Sequence, residues 1–272
     1  MKATFNRFIG IDYSGAQHCN AGLPGIRVFE ARVKQDKVLE LRPTESERVH
    51  WSRSTLAHWL HSQLSSEKDG PILVGIDHAL SFPIEYFALH GLEQNWDTFL
   101  SDFCSHWPAD LPQVTVRALL EEHKRGGASR LGNARWRRLA EQKSRGAKSV
   151  FHFGVPGAVA SSTHAGLPWI RFLRNAPALS HRIHFWPFDG WTPSPSQSVV
   201  SEVYPALWNK SIPRGALSQD QHDARTVALS LKTAAANGEL LRWFSPENWE
   251  RIRLSDDEKS YARIEGWILG LT

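Results

Sequence analysis

Phe8-Ile9-Gly10-Ile11-Asp12 and Ile72-Leu73-Val74-Gly75-Ile76-Asp77 repeat one pattern, an apolar run that closes on Gly-Ile-Asp. Runs this short and this rich in β-branched residues read as buried strands. Side chains alternate faces along a strand, so Gly10 and Asp12 share a face, as do Gly75 and Asp77. If the two strands are parallel neighbours, their carboxylates converge at one C-terminal edge. Paired acids repel unless a cation lies between them. The repeat therefore predicts a metal site before any fold is named.

Working outward, the first strand covers Arg7 to Tyr13 and a turn-rich loop covers Gly15 to Gly25. Gly25 to Val33 alternates apolar and polar residues, as a half-exposed strand does. Val38 to Pro43 reads as a third strand, and the short connections predict an antiparallel three-strand meander. Ser54 reads as the N-cap of a helix through Leu56, Trp59, Leu60 and Leu64. That helix makes Ile72 to Asp77 a parallel strand. Residues 83–148 read as a helical, partly basic insertion. Phe151 to Gly157 reads as a short strand and turn, and Gly166-Leu167-Pro168 as the opening of a helix. His184 to Phe188 and Ser198 to Pro205 read as further strands, and His222 to Asn237 as a helix closed by Gly238. The order predicts a single α/β domain over residues 1–272 with a mixed sheet and no internal repeat.

The chain has 272 residues, enough for a sizeable core, with ordinary apolar and charged fractions. The start, Met1 to Arg7, leads directly toward the first strand without a signal-like apolar stretch, and no run is long enough to span a bilayer. Together these predict a cytoplasmic protein with no membrane partner. Cys19 and Cys104 read as separate reduced thiols. Most of the twelve Trp read as packing residues.

Two further acids stand at informative places. Glu202 lies in a predicted strand just before Pro205, and Asp223 opens the helix that carries the small residues Ala224 and Ala228. Asp220 precedes Asp223 by three residues and reads as an acid at the helix's positive end. Asp12 in Gly-Ile-Asp-Tyr-Ser-Gly, Asp77 in Gly-Ile-Asp-His-Ala-Leu-Ser-Phe-Pro, Glu202 in Ser-Glu-Val-Tyr-Pro-Ala and Asp223 in Asp-Gln-His-Asp-Ala form a set. Together with Gly166-Leu167-Pro168-Trp169 and Ile264-Glu265-Gly266-Trp267-Ile268, it resembles the predicted nucleases with a ribonuclease H-like fold described as domain of unknown function 429. The resemblance covers most of the chain but not Arg117 to Lys148. It implies a ribonuclease H-like sheet flanked by helices. It also implies catalytic, metal-binding roles for Asp12, Asp77 and Asp223, with Glu202 a ligand or a carboxylate that orients one.

The expected chemistry is phosphodiester hydrolysis with Mg²⁺ or Mn²⁺. Hard divalent ions take oxygen ligands, and a pair of them about 3.5–4 Å apart serves both the attacking and the leaving oxygen. His78 and His222, beside the proposed ligands, are candidates for proton transfer. The net charge of +4 is modest, but cations crowd the stretch from Arg117 to Lys148. Lys124, Arg125, Arg130, Arg135, Arg137 and Arg138 are the expected contacts to DNA or RNA; the alternative is a solvated helical face. Two other functions compete. One is a noncatalytic nucleic-acid-binding module on the same fold. The other is an actin-like or sugar-kinase-type phosphotransferase, for which Ser14-Gly15 is a poor phosphate loop.

Overall fold

The computed structural model describes residues 5–44, 49–66, 68 and 70–272. The start of the chain, Met1 to Thr4, lies outside them. Strands β1 (Arg7–Asp12), β2 (Arg27–Arg32) and β3 (Leu39–Leu41) are followed by helix α1 (Arg53–Ser65) and strand β4 (Ile72–Asp77). Helices α2 (Ile84–His90), α3 (Trp96–His106), α4 (Val116–Lys124) and α5 (Leu139–Lys143) lead to the long α6 (Ala160–Arg174). The chain continues through β5 (Ile183–Trp186), β6 (Ser198–Glu202), α7 (Gln219–Ala236), α8 (Glu239–Trp243) and α9 (Asp256–Glu265).

The strands form one mixed sheet in the order β3-β2-β1-β4-β6-β5. β1, β2 and β3 pair antiparallel, whereas β1, β4, β6 and β5 run parallel. The fold is therefore α/β, a six-stranded sheet with helices on both faces. Ile9, Ile11, Val74, Ile76 and Val200 point into one core with α1, α3 and α6. Phe8, Leu73, Val199 and Val203 point into the other, beneath α7. Both cores are built from alternate residues of the same strands, which explains why these strands read as continuous apolar runs.

Gly10 and Gly75 are register partners on the α7 face. A Cβ on Gly10 would stand 2.2 Å from the Ala224 carbonyl oxygen, so the helix backbone rests directly on β1. The small side chains of Ala224 and Ala228 complete this approach. It aims the N-terminal end of α7 at the C-terminal edge of β1 and β4.

Several local expectations change. The cap of α1 is Ser52, not Ser54. Its side chain accepts from the Thr55 N–H, while the Thr55 hydroxyl accepts from the Ser52 N–H. Helix α6 begins at Ala160, six residues before Gly166, and carries Pro168 in its interior. Phe151 to Gly157 forms turns rather than a strand. α7 begins at Gln219 behind a Ser218 capping box, so Asp223 lies one turn inside the helix rather than at its start. Cys19 and Cys104 are free thiols, and among the described residues no helix is long and apolar enough to cross a membrane.

Candidate active site

Asp12 and Asp77 are register partners at the ends of β1 and β4. Neighbouring strands lie about 4.8 Å apart, so the two side chains leave the same face side by side. Asp12 is two residues beyond Gly10, about 6.6 Å along the strand. Asp220 and Asp223 stand on α7 one turn apart, at the helix end that overhangs this edge. Strand register, helix placement and the glycine trough thus meet at one place.

Electrostatics report the same convergence. Burial, followed by the charges of Asp77, Asp220 and Asp223, pushes the Asp12 carboxyl up to about 9. Burial, followed by Asp223 and Glu202, holds Asp77 well above the usual carboxylate range. Asp223 is fixed by two amides, with its Oδ1 accepting from Asn209 Nδ2 at 2.5 Å and from Gln219 Nε2 at 2.8 Å. Hard oxygen donors that repel one another in a partly buried edge suit a divalent cation. As they stand, no three His, Cys, Asp or Glu side chains among the described residues form a ready-made metal cluster.

Glu202 stands near Asp77 but on the other face of the sheet, held by Arg138. Its register partner on β4 is Ile76, so it faces the α6 side of the sheet, opposite Asp77. There the Arg138 guanidinium grips both of its oxygens, Nη1 at 2.7 Å and Nη2 at 2.6 Å. Arg138 Nε also donates to Glu141 at 2.8 Å. Burial opposes the Arg138 charge, but Glu202 and Glu141 raise its pKa above the ordinary arginine value. Glu265 closes the network by accepting from the Ile84 and Leu139 N–H groups, at the first turns of α2 and α5. The expected ligand Glu202 is thus half of a buried ion pair with Arg138, at one wall of a cleft that Asp77 also lines.

The two histidines are held differently. His78 lies on the face opposite Asp77, where Tyr13 packs edge-on against it with ring centroids 4.6 Å apart. Its Nδ1 bonds the Ala79 carbonyl, and its Nε2 abuts Gly166 without a partner. Burial pushes its pKa down to about 4, which leaves it neutral. His222 is buried with Nε2 bound to the Ile212 carbonyl at 2.8 Å, and its Nδ1 lies 3.9 Å from Asp223 Oδ1.

The basic stretch divides. Arg138 is only 1 % exposed and fully engaged, which rules it out as a phosphate contact. Arg137 donates to the carbonyls of Glu141 and Ala147. Arg130 pairs with Asp102 at 2.7 Å, and Lys124 with Glu121 at 2.8 Å on the surface. Arg125 and Arg135 are exposed. Two cations outside that set line cavities near the strand ends. Lys148 lines a narrow cleft with Asp77 and Tyr204, and Arg117 lines a larger cavity next to Tyr13 and Ser14.

Sequence reasoning missed Arg53, which is fully buried and donates to the carbonyls of Ser14, Ala16 and Gln17. It fastens the loop that follows Asp12. No local signal marks it, because its acceptors are backbone atoms 36 to 39 residues away. Asp220 was legible as a helix-start acid, but its influence on Asp12 depends on where α7 lands. Comparisons with protein-family models, curated proteins and solved structures found no match to this chain.

Proposed function

We propose that this protein is a divalent-metal-dependent phosphodiesterase acting on nucleic acid, with Asp12, Asp77 and Asp223 at its centre. The reading rests on one observation: Asp12 and Asp77 are side by side on adjacent parallel strands beneath the helix end that carries Asp223. Two further features support it. The strand order, a meander of three followed by parallel strands, supports a ribonuclease H-like sheet with one more strand at its edge. The Gly-Ile-Asp motifs and the Asp-Gln-His-Asp-Ala segment resemble the predicted nuclease family named above.

Asp12, Asp77 and Asp223 would hold Mg²⁺ or Mn²⁺, a donor set of hard oxygens that fits those ions. Bound there, the metal supplies positive charge for the reacting phosphoryl oxygens and lowers the pKa of water. The protein's own residues do the rest. Asn209 and Gln219 orient Asp223. The positive end of α7 adds a favourable potential for anions at this edge. Lys148, which lines a cleft with Asp77 and donates to the Pro156 carbonyl, and Arg117, which lines the cavity beside the loop after Asp12, suit phosphates that neighbour the cleaved one. Water adds across one P–O ester bond, leaving a phosphomonoester on one product and a hydroxyl on the other. Arg138 keeps Glu202 neutralised, so the number of free carboxylates facing phosphate stays at the set on α7's side.

The test is cleavage of a labelled oligonucleotide in Mg²⁺ and in Mn²⁺. The expected result is metal-dependent cleavage that falls at least 100-fold in Asp12→Asn and in Asp77→Asn. Cleavage that survives EDTA or survives both substitutions overturns the proposal.

A further inference from the structure

A cavity of about 730 Å³ opens beside the loop that follows Asp12, between the first turns of α4 and α6. Its volume falls within the range of small-molecule sites. Its lining combines three chemistries. The loop Tyr13-Ser14-Gly15 and the α6 residues Ser161 and Ser162 offer hydroxyl and backbone polar groups. Phe153 and Leu120 offer an apolar wall, and Arg117 offers a cation.

The wall is built rather than incidental. Arg53 pins the loop through three carbonyls, at 2.7 to 3.1 Å. Gly15 sits so close to α6 that a Cβ there would be 2.1 Å from the Ser161 carbonyl oxygen. Phe153 is half-buried and backed by Trp107, with ring planes 11° apart and centroids 6.3 Å apart. Its orientation is therefore set before any ligand arrives. Arg117 is exposed on the first turn of α4 and makes no ion pair among the described residues.

We propose that this cavity is the subsite for the nucleoside next to the cleaved phosphodiester, and that it selects single-stranded nucleic acid. The proposal rests on the phosphodiesterase reading for its position and adds the substrate class. A base splayed from its neighbours can enter the cavity and lie against Phe153, while its sugar meets the serine hydroxyls and Arg117 takes the adjoining phosphate. A base inside a duplex has both faces stacked and must first be extruded at the cost of its stacking and pairing.

The test is equilibrium binding of the full chain in Ca²⁺ to a fluorescent 12-nucleotide single strand, and to the same sequence as a duplex. The wild type is expected to bind the single strand at least tenfold more tightly. Phe153→Leu, which keeps an apolar residue against Trp107, and Arg117→Gln should each weaken single-strand binding about fivefold or more. Arg117→Gln should also lower the salt slope by about one. Near-wild-type binding by both folded variants, or equal affinity for the duplex, overturns the subsite. Those failures are distinct from failure of the parent reading. Cleavage that needs Asp12 but ignores Phe153 and Arg117 removes the subsite alone. Cavity-dependent binding without metal-dependent cleavage keeps the selection of single strands by this cavity and removes the phosphodiesterase, and with it the cavity's place beside a cleaved bond.

Discussion

Asp12 and Asp77 are exact neighbours across a parallel strand pair, and their shared face is roofed by the N-terminal turn of α7. Everything that places charge at this edge follows from that pairing. Gly10 and Gly75 open the trough, α7 settles into it, and its first two turns bring Asp220 and Asp223 over the strand ends.

The pairing carries a stability cost that depends on pH. Both carboxyls bind a proton more tightly in the folded chain than in the unfolded chain, where an aspartate titrates near 3.9. The unfolded state therefore holds fewer protons above that pH, and metal-free stability falls as pH rises from about 4 toward about 9. The slope is at most about 1.4 kcal/mol per pH unit for each group. Asp12→Asn should flatten the slope and raise the metal-free Tm at pH 8 by several degrees. Thermal melts from pH 5 to 9 check this, and parallel curves for wild type and variant would sink it. Saturating Mn²⁺ should flatten the wild-type slope as well.

Arg138 should prove structural. Removing it strands Glu202 and Glu141 as buried charges without a partner. Arg138→Met is expected to cost about 3–5 kcal/mol in chemical denaturation. Adding Glu202→Gln should recover part of that loss, because the double variant leaves one buried charge fewer. Additive costs in the double-mutant cycle would show that the pair is not coupled.

The two glycines should respond unequally. A methyl on Gly10 meets the α7 backbone, the Ala224 carbonyl at 2.2 Å and the Ala228 nitrogen at 2.6 Å. A methyl on Gly75 meets only side-chain ends, Val203 Cγ1 at 2.7 Å and Val227 Cγ1 at 2.8 Å. Gly75→Ala is expected to cost about 1–3 kcal/mol. Gly10→Ala should cost more and should also lift Asp223 off the edge, so cleavage falls along with stability. Equal costs measured by urea unfolding would contradict the close seating of α7 on β1.

The central strands were legible because their signal is local. Apolar runs ending in Gly-Ile-Asp give β1 and β4, and the helix between them implies parallel pairing. The place of Glu202 was not legible, because it depends on the register of β6 against β4. A shift of one residue exchanges the faces, and no local pattern fixes it. The same limit applies to Arg138. Within a run of cations, only partners 64 residues away distinguish a buried guanidinium from a solvated one. The start of α6 was hidden because Pro168 resembles a helix-opening proline and sits mid-helix. Asp223 was found because a small-residue helix next to an acid is a pattern within one window.

Crystals soaked in Mn²⁺ and measured at the manganese absorption edge test the account most directly. The account predicts an anomalous peak within about 2.2 Å of carboxylate oxygens of both Asp12 and Asp77, lost in Asp77→Asn. A map with no peak at that edge, in crystals where Mn²⁺ reaches the surrounding solvent, would contradict it.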